Sequence, residues 1–345
     1  MHILVVRNDK LGDFISSLPA CRLLKSVLPD SSLAILVKGS ISELATASNL
    51  FDDVLVDRPG DKWFRDRVQL SELIKEHEFD AVLTLFSSSR VGLAVRLARI
   101  PYRLAPATKV AQVFYNHRLR QRRSRSEKPE YEYNLELVRS FLSDQGIEDI
   151  PEPEPPYLEF DSGQIRSLRQ EFCRQHHIDP GHRLVFVHPG HGGSAGHLRL
   201  EQYAQLIRLL ASSHPFTVVL SAGPDELDLV RKLSALIPGI PHVVYHSTEG
   251  LVAFARHIAF ADLFIAGSTG PLHIAGALDV PTAGFYTRRR SATALRWQTL
   301  NSPERRLAFA PPPEAGEEEM NAIAVSKAAG EISRRFLAAT RDAAS

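Results

Sequence analysis

The sequence is poor in cysteine, in long apolar runs and in net charge, and each shortage narrows the kind of protein that it encodes. Its two cysteines, Cys21 and Cys173, stand far apart and lack metal-ligand spacing, which argues against a disulfide scaffold or a zinc site. Both fall in expected helices as reduced core residues, which favours a cytoplasmic protein. No apolar run approaches the roughly 18 residues of a membrane helix, and the short apolar start before Arg7 lacks a signal-peptide core.

The near-zero net charge removes a further class of partner. With 41 Lys and Arg against 40 Asp and Glu, the net charge is +1, so overall charge predicts no nucleic-acid partner. At 345 residues and 44% hydrophobic, the chain is long enough for two domains. The proline-rich run 151–156 is the best linker candidate, because prolines at this density continue neither a helix nor a central strand.

Short buried strands alternate with helices on both sides of this linker. This alternation is typical of parallel βαβ units and predicts the α/β class. We expect one α/β domain over residues 1–155, a second over 156–322, and a C-terminal helical segment over 323–345. The alternation breaks between Lys109 and Lys128 and resumes with a helix near Glu130.

The most informative stretch is 261–286, where a short apolar run, a glycine turn, a small-residue helix and a second apolar run follow each other. Ser268 or Thr269 can cap the helix, and Pro271 suits its first turn. A turn of this kind directs free backbone N–H groups at a ligand, so it predicts an anion site, most often for phosphate. A second glycine-rich loop, 190–196, is either a flexible surface connection or a second set of N–H donors for a diphosphate.

Three single residues each have a structural and a functional interpretation. Asp13 caps or stabilises the start of a helix, or it is a general base after the first strand. Glu226 is a first-turn residue stabilised by the helix dipole, or it binds ribose hydroxyls as acidic residues do in nucleotide-binding folds. His273, on a small-residue helix, is more often a core histidine than a catalyst.

The run 118–125 contains five arginines. Its commonest interpretation is a solvated loop, and the sharper one is contact with a phosphorylated glycolipid or an anionic membrane surface. Nucleic-acid binding has less support, because the nearby aromatic residues are only Phe114 and Tyr115, just upstream.

Together these patterns resemble those of the bacterial lipopolysaccharide heptosyltransferases, glycosyltransferase family 9, over nearly the whole chain. The motifs that carry the resemblance are R-x-x-x-L-G-D at 7–13 with Pro19, E-x-x-Y-N-L-x-L at 130–137, H-P-G-x-x-G-S-A at 188–195, G-x-x-E at 223–226 and S-T-G-P-L-H at 268–273.

The resemblance implies a GT-B fold, with two Rossmann-like doubly wound domains facing a cleft. The C-terminal domain would bind the nucleotide sugar, the N-terminal domain the acceptor, and the last helix would pack back toward the N-terminal domain. The implied reaction is sugar transfer with inversion, without a metal ion or another cofactor. The implied partners are a nucleotide diphosphate sugar, ADP-heptose or a relative, and an anionic glycolipid acceptor such as the lipopolysaccharide core.

Site residues follow from the same motifs. Asp13 corresponds to the family's proposed base. The predicted donor contacts are Gly190, Gly193, Ser194, Arg199, Glu226, Ser268, Thr269, Gly270 and His273. The predicted acceptor contacts are Arg7, Lys10, Arg118, Arg120 and Arg122. The basic run also allows peripheral contact with the cytoplasmic face of the inner membrane.

The sequence departs from the family pattern at two donor positions. Ser268 stands where the family often has Asp, and the segment 196–199 replaces a basic residue followed by Trp-Pro. His197 or Arg199 would then substitute for the basic residue.

Two alternatives to a glycosyltransferase remain. One is a nucleotide-sugar epimerase, which would release a new sugar isomer without an acceptor, and the other is a non-catalytic sugar-nucleotide-binding scaffold.

Overall fold

A computed structural model describes residues 1–60, 63–108, 110–190 and 196–338, with Trp63 described by its backbone alone. The chain forms two compact units that divide between Tyr157 and Leu158. The proline-rich run 151–156 leads directly into this boundary. Each unit is a doubly wound α/β domain, as the alternation of strands and helices predicts.

The N-terminal unit contains a parallel sheet that has six strands within the described residues, in the order β3-β2-β1-β4-β5-β6. The strands are β1 His2–Val6, β2 Ser32–Lys38, β3 Asp53–Asp57, β4 Ala81–Thr84, β5 Tyr102–Pro106 and β6 His117–Leu119. β1, β2 and β4 are nearly continuous runs of buried apolar residues, as expected when helices cover both faces of a parallel sheet. This strand order is the Rossmann order.

Helices cover both faces of this sheet. They are α1 Leu11–Ile15, α2 Leu18–Val27, α3 Gly39–Ala47, α4 Trp63–Lys75, α5 Ser89–Leu97 and α6 Glu130–Asp144. α4 and α5 pack together on one face, whereas α6 packs against α2 and β5. The helical conformation is interrupted between α1 and α2, and Pro19 lies in the first turn of α2. Proline lacks the N–H that a continuous helix would require at this position.

The C-terminal unit repeats this arrangement, in the order β12-β11-β10-β7-β8-β9. Its strands are β7 Leu184–His188, β8 Thr217–Ala222, β9 His242–His246, β10 Leu263–Gly267, β11 Thr282–Phe285 and β12 Arg306–Phe309. Its helices are α7 Ser162–Gln175, α8 Leu200–Ala211, α9 Leu227–Ala235, α10 Leu251–Ala259, α11 Gly270–Ala277 and α12 Val325–Ile332. All strand pairs are again parallel.

The chain after β12 contains α12 and a π-helical turn, Ser333–Leu337. α12 packs against α8, and Ile332 and Leu337 belong to the core of the C-terminal unit. The predicted packing of the segment 323–345 toward the N-terminal domain stays a prediction. In the described parts of the chain, no helix is both long and apolar enough to cross a membrane.

Candidate active site

The carboxyl ends of neighbouring parallel strands share one edge of a sheet, which is where such folds bind ligands. In the C-terminal unit, β8, β7 and β10 are adjacent. Residues 189–190 follow β7, residues 223–226 follow β8 and residues 268–270 follow β10. The topology therefore brings the described donor candidates of three motifs to one edge. Gly193 and Ser194 lie outside the described residues, and their predicted role stays a prediction.

The turn between β10 and α11 has the geometry of an anion site. Thr269 is the N-cap residue, α11 begins at Gly270, and proline occupies the first turn. Thr269 is 7% exposed, and its Oγ1 has no hydrogen-bond partner within the described chain. The first N–H groups of a helix have no partner in the helix, so together with the helix dipole they attract an anion. The N–H of Ser268 is already used, because it donates to the Phe285 carbonyl at 3.1 Å.

His273 lies one turn into α11 and is buried at 5% exposure. Its ring meets the edge of Trp297, with 5.9 Å between ring centroids. Burial lowers the pKa of His273 from 6.5 to about 4, so the ring is neutral near pH 7. A neutral imidazole contributes a hydrogen bond but no positive charge toward a phosphate.

Glu226 occupies a pocket built by three other residues. Its carboxylate accepts the Gly223 N–H at 2.9 Å and lies 3.5 Å from Nε2 of His188. Gly190 makes room for it, because a Cβ at that position would overlap the carboxylate. Glu226 precedes α9 as its N-cap residue, and its side chain makes no capping hydrogen bond. The carboxylate is thus held in place and remains 24% exposed.

His188 is the residue in this pocket that our sequence analysis did not single out. Its ring is buried at 3% exposure, and its Nδ1 lies 3.1 Å from the Ser221 carbonyl oxygen and 3.2 Å from the Ser221 Oγ. Burial lowers the pKa of His188, whereas the Glu226 carboxylate acts in the opposite direction. The sequence signal was its place at the end of a strand, directly before the glycine-rich loop.

The segment 196–199 approaches the α11 turn from the side. A Cβ built on Gly267, at the end of β10, would lie 3.6 Å from the Cβ of His197. Arg199 precedes α8 with an exposed side chain, and its N–H donates to the Gln202 Oε1 at 3.0 Å. Of the two candidate substitutes for the family's basic residue, His197 therefore packs beside β10, where the turn begins.

In the N-terminal unit, Arg7 gathers three carboxylates at the end of β1. Its guanidinium is 1% exposed and donates to Asp13. Nε lies 3.1 Å from Asp9, and Nη2 lies 3.4 Å from Glu130. Asp13 is in the first turn of α1, and Lys10 rather than Asp13 is the N-cap residue. The Asp13 carboxylate, 17% exposed, is therefore oriented by Arg7.

A second layer of contacts holds this cluster. Arg123 donates to Glu130 at 3.0 Å and to the Leu85 carbonyl at 2.9 Å. Asn134, fully buried, donates to the Ser16 carbonyl at 2.9 Å. These bonds join the loops after β4 and β6 to α6 and to the end of α1. The structure thus places Arg7, a predicted acceptor contact, where it acts on Asp13.

Asp9 makes a stability prediction possible. Burial raises the pKa of Asp9 from 3.8 to about 6, with the neighbouring carboxylates adding to the rise and Arg7 opposing it. A raised pKa in the folded state costs stability progressively as pH rises from about 4 through 6. We expect Asp9→Asn to raise the free energy of unfolding by up to about 3 kcal/mol at pH 8 and by almost nothing at pH 4. Urea titrations at the two pH values test this, and an equal change at both would contradict it.

The remaining acceptor candidates are all exposed. Lys10 has an exposed side chain, and so do Arg118, Arg120 and Arg122, with less exposed residues between them. Arg118 lies in β6, an edge strand that the sequence did not predict inside the basic run.

Within the described chain, no group of three His, Cys, Asp or Glu side chains is arranged to hold a metal ion, and metal independence stays a prediction.

Solved structures share the architecture of this chain. A family 9 glycosyl transferase from Veillonella parvula superposes with a TM-score of 0.79 at 16% identity, covering 97% of each chain. The ADP-heptose lipopolysaccharide heptosyltransferase II of E. coli superposes with a TM-score of 0.77 at 17% identity, covering 97% of this chain and 98% of that one. At these identities the likeness shows the fold, which is GT-B, as predicted.

The sequence comparisons identify the family and the activity. Residues 67–302 match the sequence model of glycosyltransferase family 9 (heptosyltransferase). A Haemophilus influenzae protein named as a glycosyltransferase is 43% identical over 335 residues, which are 96% of this chain and 95% of that one. The chain belongs to glycosyltransferase family 9, and it is a glycosyltransferase. The predicted family, fold and enzyme class are confirmed.

Proposed function

We propose that the protein transfers a sugar, heptose in the first instance, from a nucleotide diphosphate sugar to a lipopolysaccharide core or related glycan. The observation that carries the proposal is the convergence of Glu226, Gly190 and the Thr269–Gly270 turn at one edge of the C-terminal sheet. Glu226 would bind the ribose hydroxyls. The open N-terminus of α11 and the unsatisfied Thr269 hydroxyl would bind the diphosphate, with His273 as a neutral hydrogen-bonding group and Arg199 as an exposed cation.

In the proposed reaction, Asp13 removes the proton of an acceptor hydroxyl. The hydroxyl oxygen attacks the anomeric carbon, the bond from that carbon to the diphosphate oxygen breaks, and the nucleotide diphosphate leaves with the electron pair. Attack opposite the leaving group inverts the anomeric configuration. Preorganised N–H donors aimed at the developing negative charge contribute most to such catalysis, so the α11 turn replaces the charge that a metal ion would supply.

Acceptor binding is assigned to the N-terminal unit. Lys10, Arg118, Arg120 and Arg122 offer exposed positive charges to an anionic glycolipid, and Arg7 orients the base. The proposed location is the cytoplasm, at the cytoplasmic face of the inner membrane, where a glycolipid acceptor would be reached.

A donor screen tests the proposal. Full-length protein is heated with ADP-heptose and with ADP-, UDP-, GDP- and dTDP-linked hexoses, since a ligand that binds only the folded state raises the melting temperature. We expect an ADP-sugar to give the largest rise, and the same donor to release ADP when a lipopolysaccharide core acceptor is added. A new sugar isomer formed without acceptor would support the epimerase. Binding without any turnover would support the scaffold.

Gly190→Ala gives a local test of the donor site. The new Cβ overlaps the Glu226 carboxylate, which must leave its place beside Gly223 and His188. We expect the donor Kd to rise about tenfold, the equivalent of one lost hydrogen bond to a charged group, with little change in melting temperature without ligand. Gly146→Ala in the N-terminal unit is the matched control because a Cβ there meets open space, although its positive φ adds a small strain. Unchanged donor affinity in Gly190→Ala would argue against Glu226 as a ligand.

A further inference from the structure

Positive charge is concentrated in one segment of the N-terminal unit. Between residues 81 and 126 the sequence has no Asp or Glu, although the whole chain has nearly equal numbers of acidic and basic residues. The Lys and Arg residues of this segment are Arg90, Arg96, Arg99, Arg103, Lys109, Arg118, Arg120, Arg122, Arg123 and Arg125. The segment runs from β4 through α5 and β5 to β6, so the charge lies on one side of the sheet's centre.

Two exposed valines stand in the middle of this segment. Between β5 and β6, residues Val110–Phe114 form a 3-10 turn, in which side chains three residues apart lie one above the other. Val110 is 75% exposed and Val113 is 66% exposed, so both point outward from the same side of the turn. The opposite side is anchored, because Ala111 is buried and the Phe114 ring packs so closely on α5 that a Cβ at Gly92 would lie 2.8 Å from it.

The side chains of Arg118 and Arg120 lie on the same face of the sheet as this 3-10 turn. His117 Nδ1 lies 3.2 Å from Asp144 on α6, and Gln121 donates to the Tyr133 carbonyl on α6 at 2.7 Å. Because side chains alternate along an extended chain, Arg118 and Arg120 point away from α6. The pairing of β6 with β5 gives the same direction for the Arg118 side chain.

In that pairing, Arg118 lies opposite Ala105, and paired residues of parallel strands point to the same face. Ala105 belongs to the core that is covered by α4 and α5, and Phe114 packs against the same core. The two valines, Arg118 and Arg120 thus face outward on the same side of the sheet. We call them, together with the exposed Arg122 that follows in the chain, the basic–apolar surface.

We propose that the basic–apolar surface docks on an anionic phospholipid bilayer. Arginines attract anionic headgroups, and apolar side chains on the same surface enter the headgroup and acyl boundary. A single-stranded nucleic acid would need exposed rings for stacking. The aromatic residues beside the run do not provide them, because Tyr115 is 3% exposed and Phe114 packs on the core. The docking goes beyond the proposed transfer reaction, although it shares three arginines with the proposed acceptor site.

Vesicle sedimentation of the full-length protein tests the docking without donor or acceptor. Phosphatidylcholine vesicles with and without phosphatidylglycerol are compared. We expect binding only with phosphatidylglycerol, and weaker binding as salt increases. The triple variant R118Q/R120Q/R122Q is expected to bind about a hundredfold more weakly, and V110S/V113S about tenfold more weakly. The matched control R166Q/R231Q/K232Q removes three exposed cations of the C-terminal unit and is expected to bind as the parent does.

Several results would overturn the docking. They are equal binding to both kinds of vesicle, no loss in V110S/V113S, binding that requires a phosphorylated glycolipid in the vesicle, and displacement of the bound protein by single-stranded nucleic acid. All five side chains are exposed, so unchanged melting temperatures will show that the variants fold. V110S/V113S should also keep its turnover on a water-soluble, lipid-free acceptor. A loss there would concern the proposed reaction and not the membrane.

Discussion

Replacing Asp13 with asparagine is expected to lower kcat by about a hundredfold to ten-thousandfold, the usual contribution of a general base. Asparagine keeps the size and one hydrogen-bond acceptor for Arg7 but does not take the proton of the acceptor hydroxyl. Donor affinity should change little, because the proposed donor ligands all belong to the C-terminal unit. Steady-state kinetics with a lipopolysaccharide core acceptor, together with donor binding by calorimetry, measure the two quantities separately.

Asp9→Asn is the matched control for this experiment. Asp9 and Asp13 share the Arg7 guanidinium and have similar exposure, 19% and 17%. If Asp13 is the base, Asp9→Asn should keep kcat within about tenfold, since it changes only the electrostatic surroundings of the base. The reverse order of effects would assign the base to Asp9, whose raised pKa suits proton transfer near neutral pH. Full activity in both variants would show that neither Asp9 nor Asp13 is the general base.

Replacing Arg7 with methionine is expected to lower the free energy of unfolding of the N-terminal unit by about 3–5 kcal/mol. The guanidinium is buried and faces Asp9, Asp13 and Glu130. Removing it leaves one buried and two partly buried carboxylates, which must lose their charge or rearrange, whereas methionine fills much of the same volume. The penalty should shrink at low pH, because protonated carboxyls no longer need the cation.

The chain offers a clean optical measurement of this loss. It has two tryptophans, Trp63 in the N-terminal unit and Trp297 in the C-terminal unit. In a Trp297→Phe background, the fluorescence of Trp63 follows the N-terminal unit alone during urea unfolding. Arg120→Met, at an exposed position of the same unit, is the control and should stay within about 0.5 kcal/mol. An Arg7→Met protein that unfolds at the parent's urea concentration would show that the cluster does not stabilise this unit.

The alternation of strands and helices was sufficient to predict the parallel sheets, because a buried parallel strand is a run of apolar residues wherever it occurs. The glycine turn before α11 was equally visible, since Thr269, Gly270 and Pro271 favour a helix start by their own conformational preferences. Three strands, β5, β6 and β12, were missed, and two of them are edge strands. β6 and β12 are short and half exposed, and they are strands because β5 and β11 offer them backbone partners.

The side-chain clusters around Arg7 and Glu226 could not be predicted from the sequence for a different reason. Arg7 and Glu130 are 123 residues apart, and only the folded topology brings α6 against the end of β1. His188 and Glu226 follow different strands and meet because β7 and β8 are neighbours. A sequence pattern identifies such residues singly, but their partners depend on pairing and packing that no local spacing encodes. Gly190 was predicted as part of a flexible connection or as a donor contact, whereas in the structure its missing side chain leaves space for the Glu226 carboxylate.

That space has a consequence for how the protein can change over generations. Any side chain at position 190 would occupy the volume that the Glu226 carboxylate now fills, so the two positions are tied together although they lie on different loops. A lineage that acquires a larger residue at 190 is expected to shorten residue 226, and one that keeps Glu226 is held to glycine at 190. The two positions should therefore change together, and a chain that has lost both would have to hold its ligand at this edge of the sheet by other groups.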